Sequence, residues 1–134
     1  VGLILKLRIM KPKLILTIVG AVYIFQSIMS IIFARAGSEA MFNVGEEAIE
    51  LAILFQYGVG PVFLMLGLMS LFSRNFKVES QRKIMLAVII GYIPFFAVFY
   101  YFSNNEMINM SLGSASLDII LFLLLIVSYI KSKK

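Results

Sequence analysis

Hydrophobic positions along the chain gather into four long runs, near residues 14–34, 47–72, 83–102 and 111–130, and charged positions are pushed to their margins. Each run is long enough for a helix crossing about 30 Å of hydrocarbon, which takes about 20 residues. The stretches between them, "ARAGSEAMFNVG", "SRNFKVESQRK" and "SNNEMINM", carry the Gly, Asn and Ser that punctuate helices. Short connections place neighbouring helices antiparallel. No tandem repeat, low-complexity tract or interdomain linker is visible. The pattern predicts an all-α fold: one domain over residues 1–134, an integral membrane four-helix bundle with antiparallel up-down topology.

Composition sharpens this picture. Of the 134 residues, 61% are hydrophobic and 14% charged, against roughly 25% charged in soluble domains. A water-soluble chain of this length has no interior large enough for so much apolar surface, and a lipid bilayer accepts it. The net charge of +5 does not point to nucleic acid, because the basic residues lie at the ends of apolar runs, where phospholipid headgroups sit. Lys6, Arg8, Lys11 and Lys13 precede the first run. Arg74, Lys77, Arg82 and Lys83 separate the second from the third, and Lys131, Lys133 and Lys134 follow the fourth. With four spans, Arg35 alone falls on the opposite side. Lys and Arg concentrate on cytoplasmic loops, so the chain is expected to be multi-pass in the cell membrane with both termini cytoplasmic. Glu39, Glu46, Glu47, Glu50 and Glu106 make the other side acidic.

The first run invites comparison with a secretory signal, with Ala34-Arg35-Ala36 as a cleavage site. Its apolar stretch of about 20 residues exceeds the usual 7–15, so it is expected to be a retained span. Met10-Lys11-Pro12-Lys13 resembles a natural start. That leaves "VGLILKLRI" as either an upstream extension or a short amphipathic segment on the headgroups.

Candidate chemistry is sparse. The chain has no histidine and no cysteine, which excludes imidazole or thiolate metal sites, bis-histidine haem, iron–sulfur clusters and cysteine nucleophiles. The commonest general base is missing too, and no Gly-rich phosphate loop is present. No catalytic residue, metal or cofactor is assigned. Pro61 and Pro94 fall near the midplane of their spans, each freeing the carbonyl four residues earlier; simple kinks are the favoured reading over a broken-helix transport site. Small residues line one side of span two (Ala48, Ala52, Gln56, Gly60, Gly67), with Ala87 and Gly91 in span three and Ser111, Ser114 and Ala115 in span four. Such faces allow helices to approach closely.

Polar groups inside the spans are the site candidates: Gln26, Glu50, Gln56, Tyr57 and Asp118. Glu50 reads as an outer-interface residue, the glutamines as cross-helix hydrogen bonders, and Arg35 as an interface anchor. Asp118 stands out in "SASLDIILFLLLIVSYIKSKK", where nine apolar residues follow it. The twelve Leu, Ile, Phe and Val residues of span four contribute about −4 to −7 kcal/mol to insertion against about +3 for one central Asp, so the span tolerates it. Asp118 shares a face with Ser111, Ser114 and Ala115. It is expected to point into the bundle and to bond one of Gln26, Ser27, Gln56 or Tyr57.

The segment "QYGVGPVFLMLGLMSLFSRN" (residues 56–75), followed by a third span and an acid early in the fourth, resembles small four-helix bacterial membrane proteins of the DoxX-like kind. That resemblance implies a four-helix bundle and no settled activity. The arginine it implies in the third span is replaced here by "GYIPFFAVFYY". Small multidrug exporters carry a glutamate in span one, where this chain has Gln26. Membrane glutathione transferases open span two with an Arg-x-x-x-Asn-x-x-Glu-like cluster that is absent here. The functional expectation is a non-catalytic membrane protein, either an accessory subunit of a larger assembly or a small lipid- or metabolite-binding bundle. The alternative is a small proton- or cation-coupled transporter, homo-oligomeric, using Asp118. An enzyme built on Asp118, Glu50 and Tyr57 ranks last.

Overall fold

The computed structural model describes residue 2 and residues 11–133. Lys6, Arg8, Met10 and Lys134, which entered the charge and start-site readings, lie outside the described residues. The described residues form five α-helices: α1 (Pro12–Ile32), α2 (Ala34–Met41), α3 (Glu46–Phe72), α4 (Val78–Ser103) and α5 (Ser116–Lys131). Short 3₁₀ turns at Ser73–Asn75 and Leu112–Ala115 join the later ones. Among the described residues there is no strand, only an isolated bridge between Phe42 and Ile108.

Four of these helices, α1, α3, α4 and α5 with its preceding turn, are long and apolar enough to cross a membrane. Their surfaces are greasy as well as their interior. No more than 33% of the most apolar stretch of any of them is buried, and Leu54, Phe55, Met65 and Phe72 point outward. Exposed apolar area on that scale marks a surface made for contact with something other than water.

Local chemistry sets the helix ends. Pro12 opens α1, where its missing N–H is one the first turn leaves unpaired in any case. Glu46 and Glu47 open α3, where the positive end of the helix dipole favours acidic side chains. Its 27 residues reach about 40 Å at 1.5 Å per residue. The far end of α3 is closed by Gln81, whose buried amide donates to the Ser73 and Arg74 carbonyls at 3.3 and 2.7 Å. Helix α4 consequently begins at Val78, five residues before the predicted third span. Pro61 and Pro94 both lie inside uninterrupted helices.

Helix α1 is the hub, packing on α3 along its length and on α4 and α5. The α1–α3 seam is glycine against glycine. A Cβ on Gly20 would lie 2.8 Å from the Gly67 carbonyl oxygen, and one on Gly67 would lie 2.9 Å from that of Gly20. At the other end of the seam, a Cβ on Gly60 would meet Ile31 at 2.7 Å. The small-residue face predicted on span two is therefore the face that meets span one. Ile15, Leu16, Val19 and Tyr23 turn to the other side and form the main core with Met85, Tyr92, Leu121 and Leu125. Helices α4 and α5 are clasped by Arg82, whose guanidinium lies 4.1 Å over the Tyr129 ring. It also donates to the Tyr129 carbonyl and, at 2.9 Å, to Ser132 Oγ.

Charge separates to the two ends. Lys11, Lys13, Arg74, Lys77, Arg82, Lys83, Lys131 and Lys133 share the end where α1 begins and α5 finishes. At the other end, α2 and the connection after α4 are pinned together. The Asn43 N–H donates to the Met107 carbonyl at 2.8 Å and the Asn109 N–H to that of Met41 at 2.6 Å.

Candidate functional site

Asp118 lies in the first turn of α5, not deep within a span-long helix. The reason is local. Ser111 and Ser114 cap a 3₁₀ turn over Leu112–Ala115, so the α-helix proper begins only at Ser116. A carboxylate in a first helical turn faces the unpaired N–H end of the dipole. This position reconciles the acid with the apolar run that follows it.

The side chain is half-buried and turned inward, as expected, but its partner is different. Tyr92 Oη donates to Asp118 Oδ1 at 3.1 Å, and Tyr23 Oη donates to Tyr92 Oη at 3.2 Å. Three helices, α1, α4 and α5, thus meet in one line of hydroxyls ending on a carboxyl. Tyr92 is buried among aromatic rings. Its ring stacks on Phe96 with centroids 5.4 Å apart and meets Phe95 and Phe122 edge-on at 5.5 and 5.8 Å. Among the described residues, Asp118 has no cationic partner and Tyr92 is its one hydrogen-bond partner.

The remaining sequence candidates lie elsewhere. Gln26 and Gln56 are half-buried and neither reaches Asp118, while Tyr57 points outward. Ser27 is buried, and its carbonyl accepts from Ser30. Glu50 belongs to a separate cluster at the acidic end, where Arg35 pairs with Glu50, with Glu46 at 3.1 Å and with Glu39 at 3.3 Å. Arg35 is therefore a tie between α2 and α3 more than a headgroup anchor. The hydrogen bonds it donates to Glu50, Glu46 and Glu39 raise its already high pKa. Tyr23 and Tyr92 are the residues that sequence reasoning did not select.

Asp118 and Tyr92 close one end of a cavity of about 400 Å³. It lies between α3 and α4, which do not pack along their length, and is walled by Phe63, Leu66, Met69, Ile84, Val88 and Gly91. Nothing lies within 4 Å of where a Gly91 Cβ would be, so this glycine leaves the wall open. The size is that of small-molecule pockets, which are mostly apolar with a few fixed polar groups. Such a space suits an apolar body whose polar head meets the carboxyl.

Comparison with known proteins finds no matching family model, no matching curated protein and no matching solved structure.

Proposed function

We propose that this chain is a non-catalytic, multi-pass protein of the cell membrane that binds a small amphiphile bearing an amine head, with Asp118 as counter-charge. The observation that carries the reading is Asp118 at one end of a mostly apolar cavity, oriented by Tyr92 and without a cationic partner among the described residues. A carboxylate away from water is costly unless paired. A cationic head supplies the pair, and an alkyl body fills the apolar walls.

The proposal places the four long helices up and down across the bilayer with both termini cytoplasmic. Supporting it, residues rise along α1 as they fall along α3 (Gly20 against Gly67, Ile31 against Gly60). The same crossing holds for Arg82 with Tyr129 and Tyr92 with Asp118 in α4 and α5. The basic end is the cytoplasmic one by the distribution of Lys and Arg. A place among DoxX-like bundles belongs to the same proposal, because the segment carrying that likeness supplies Phe63, Leu66, Met69 and Ser70 to the cavity.

Octylamine, octanol and octanoate distinguish the head group while holding the tail constant. Octylamine is expected to raise the unfolding temperature of the protein in neutral detergent, by an amount equivalent to about 2.7 kcal/mol at one hundred times its Kd. Asp118→Asn should abolish that shift. Equal shifts from octanoate or octanol would reject recognition of the amine. A transport role for the same residue is favoured by one further observation: Asp118 also borders a second cavity.

A further inference from the structure

That second cavity holds about 390 Å³ and lies under the acidic end, between α2, the outer part of α4 and the turn before α5. Gly37 and Met41 border it from α2, Val98 and Phe99 from α4, and Ser114 from the capping turn. Among the described residues, Phe95 and Asp118 alone line both cavities. On α4 the order along one side is Gly91 in the first cavity, Phe95 between them, then Val98 and Phe99 in the second. Gly91 and Val98 are seven residues apart, about 10 Å along the helix at 1.5 Å per residue. The Phe95 ring leans edge-on against Tyr92 and Phe96, at 5.5 Å from each. It therefore stands beside the tyrosine that orients Asp118.

We infer that the two cavities are consecutive compartments of one path, with Phe95 as its partition and Asp118 as the station reached from both. An amine-headed amphiphile enters from the bilayer between α3 and α4, pairs with Asp118, and leaves past Phe95 towards the acidic aqueous side. This rests on the amine-binding reading of Asp118 and adds a direction and a gate. Charge supports the choice of cargo. The rim of the second cavity belongs to the end that carries Glu39, Glu46, Glu47, Glu50 and Glu106, against Arg35 as the one base there among the described residues. A negative mouth concentrates cations and repels anions.

The chain has no cysteine, so single cysteines report each compartment. Gly91→Cys and Val98→Cys are labelled in intact cells with membrane-impermeant methanethiosulfonates, one carrying a trimethylammonium head and one a sulfonate. Val98→Cys is expected to react at least tenfold faster with the cationic reagent, and Asp118→Asn should reduce that preference. Gly91→Cys should resist both reagents until Phe95→Ala is added, which should raise its cationic labelling at least tenfold. Phe95→Leu replaces Phe95→Ala if the latter lowers the yield of folded protein. Protection of Val98→Cys from both reagents would overturn the path. Labelling of Gly91→Cys that does not depend on residue 95 would overturn the gate. Octylamine binding is measured separately, so loss of the ligand and loss of the path are told apart.

Discussion

Replacing Gly67 with alanine tests the α1–α3 seam with the smallest change available. The added Cβ would lie 2.8 Å from Ile24 Cγ1, 2.9 Å from the Gly20 carbonyl oxygen and 3.0 Å from the Ile24 nitrogen. Carbon contacts relax at roughly 3.5–4.0 Å, and two of these three neighbours are backbone, which no side-chain rotation can move aside. The helices must part, and every contact along the seam loosens with them. Overpacking of this kind costs about 1–3 kcal/mol. Gly20→Ala forces the same separation, since its Cβ would lie 2.8 Å from the Gly67 carbonyl oxygen. Once one alanine has spread the helices the second adds less, so the double variant should be more stable than the sum of the singles by about 0.5–3 kcal/mol. Gly58→Ala is the control: nothing lies within 4 Å of its Cβ, and helix propensity alone gives a gain of up to about 1 kcal/mol. Reversible unfolding in mixed micelles, with helix content followed by circular dichroism, measures all four variants. Gly67→Ala as stable as Gly58→Ala would refute close packing of this seam.

Other perturbations follow from the same structure. Tyr92→Phe removes the hydrogen bond to Asp118 and should lower stability by about 1–3 kcal/mol, read by the same unfolding assay, with Tyr23→Phe costing less. Arg82→Ala should cost about 2 kcal/mol through the lost ring contact and charged hydrogen bonds, with Arg82→Lys recovering only part of it. Arg35→Ala should cost little, because its pairs are exposed, and the small difference from the parent should shrink in high salt. For topology, cysteines at Ser80 and Asn105 should label oppositely with an impermeant maleimide on intact cells, Asn105 reacting and Ser80 protected; the reverse pattern inverts the orientation.

Some features of the molecule are legible in its sequence and others are not. The four long helices were legible because lipid rewards unbroken apolar runs, and the two charged ends because Lys and Arg stay out of those runs. The small-residue face of span two was legible for a similar reason, since Gly60 and Gly67 recur on one side of a helix. Helix starts were less so. The polar turn from Glu79 to Lys83 looked like a connection, yet Gln81 closes α3 while lying within α4. Ser111 and Ser114 looked like a helical face and form a cap instead. The partner of Asp118 was the least legible feature. Depth along a span narrows the choice to several polar groups, but helix rotation decides among them, and rotation is set by packing. Tyr92 was visible within "GYIPFFAVFYY", where its neighbours Phe95 and Phe96 signalled only bulk. A tyrosine one helical face away from a small residue, opposite an early acid, was the available clue.

The most direct test of amine binding at Asp118 is photocrosslinking with an alkylamine carrying a diazirine near the end of its chain, mapped by mass spectrometry. Adducts are expected on the walls between α3 and α4, at Leu66, Met69, Ile84 and Val88, competed by octylamine and lost in Asp118→Asn. Adducts spread over the outward-facing Leu54, Phe55 and Met65, at yields unchanged by Asp118→Asn, would contradict it.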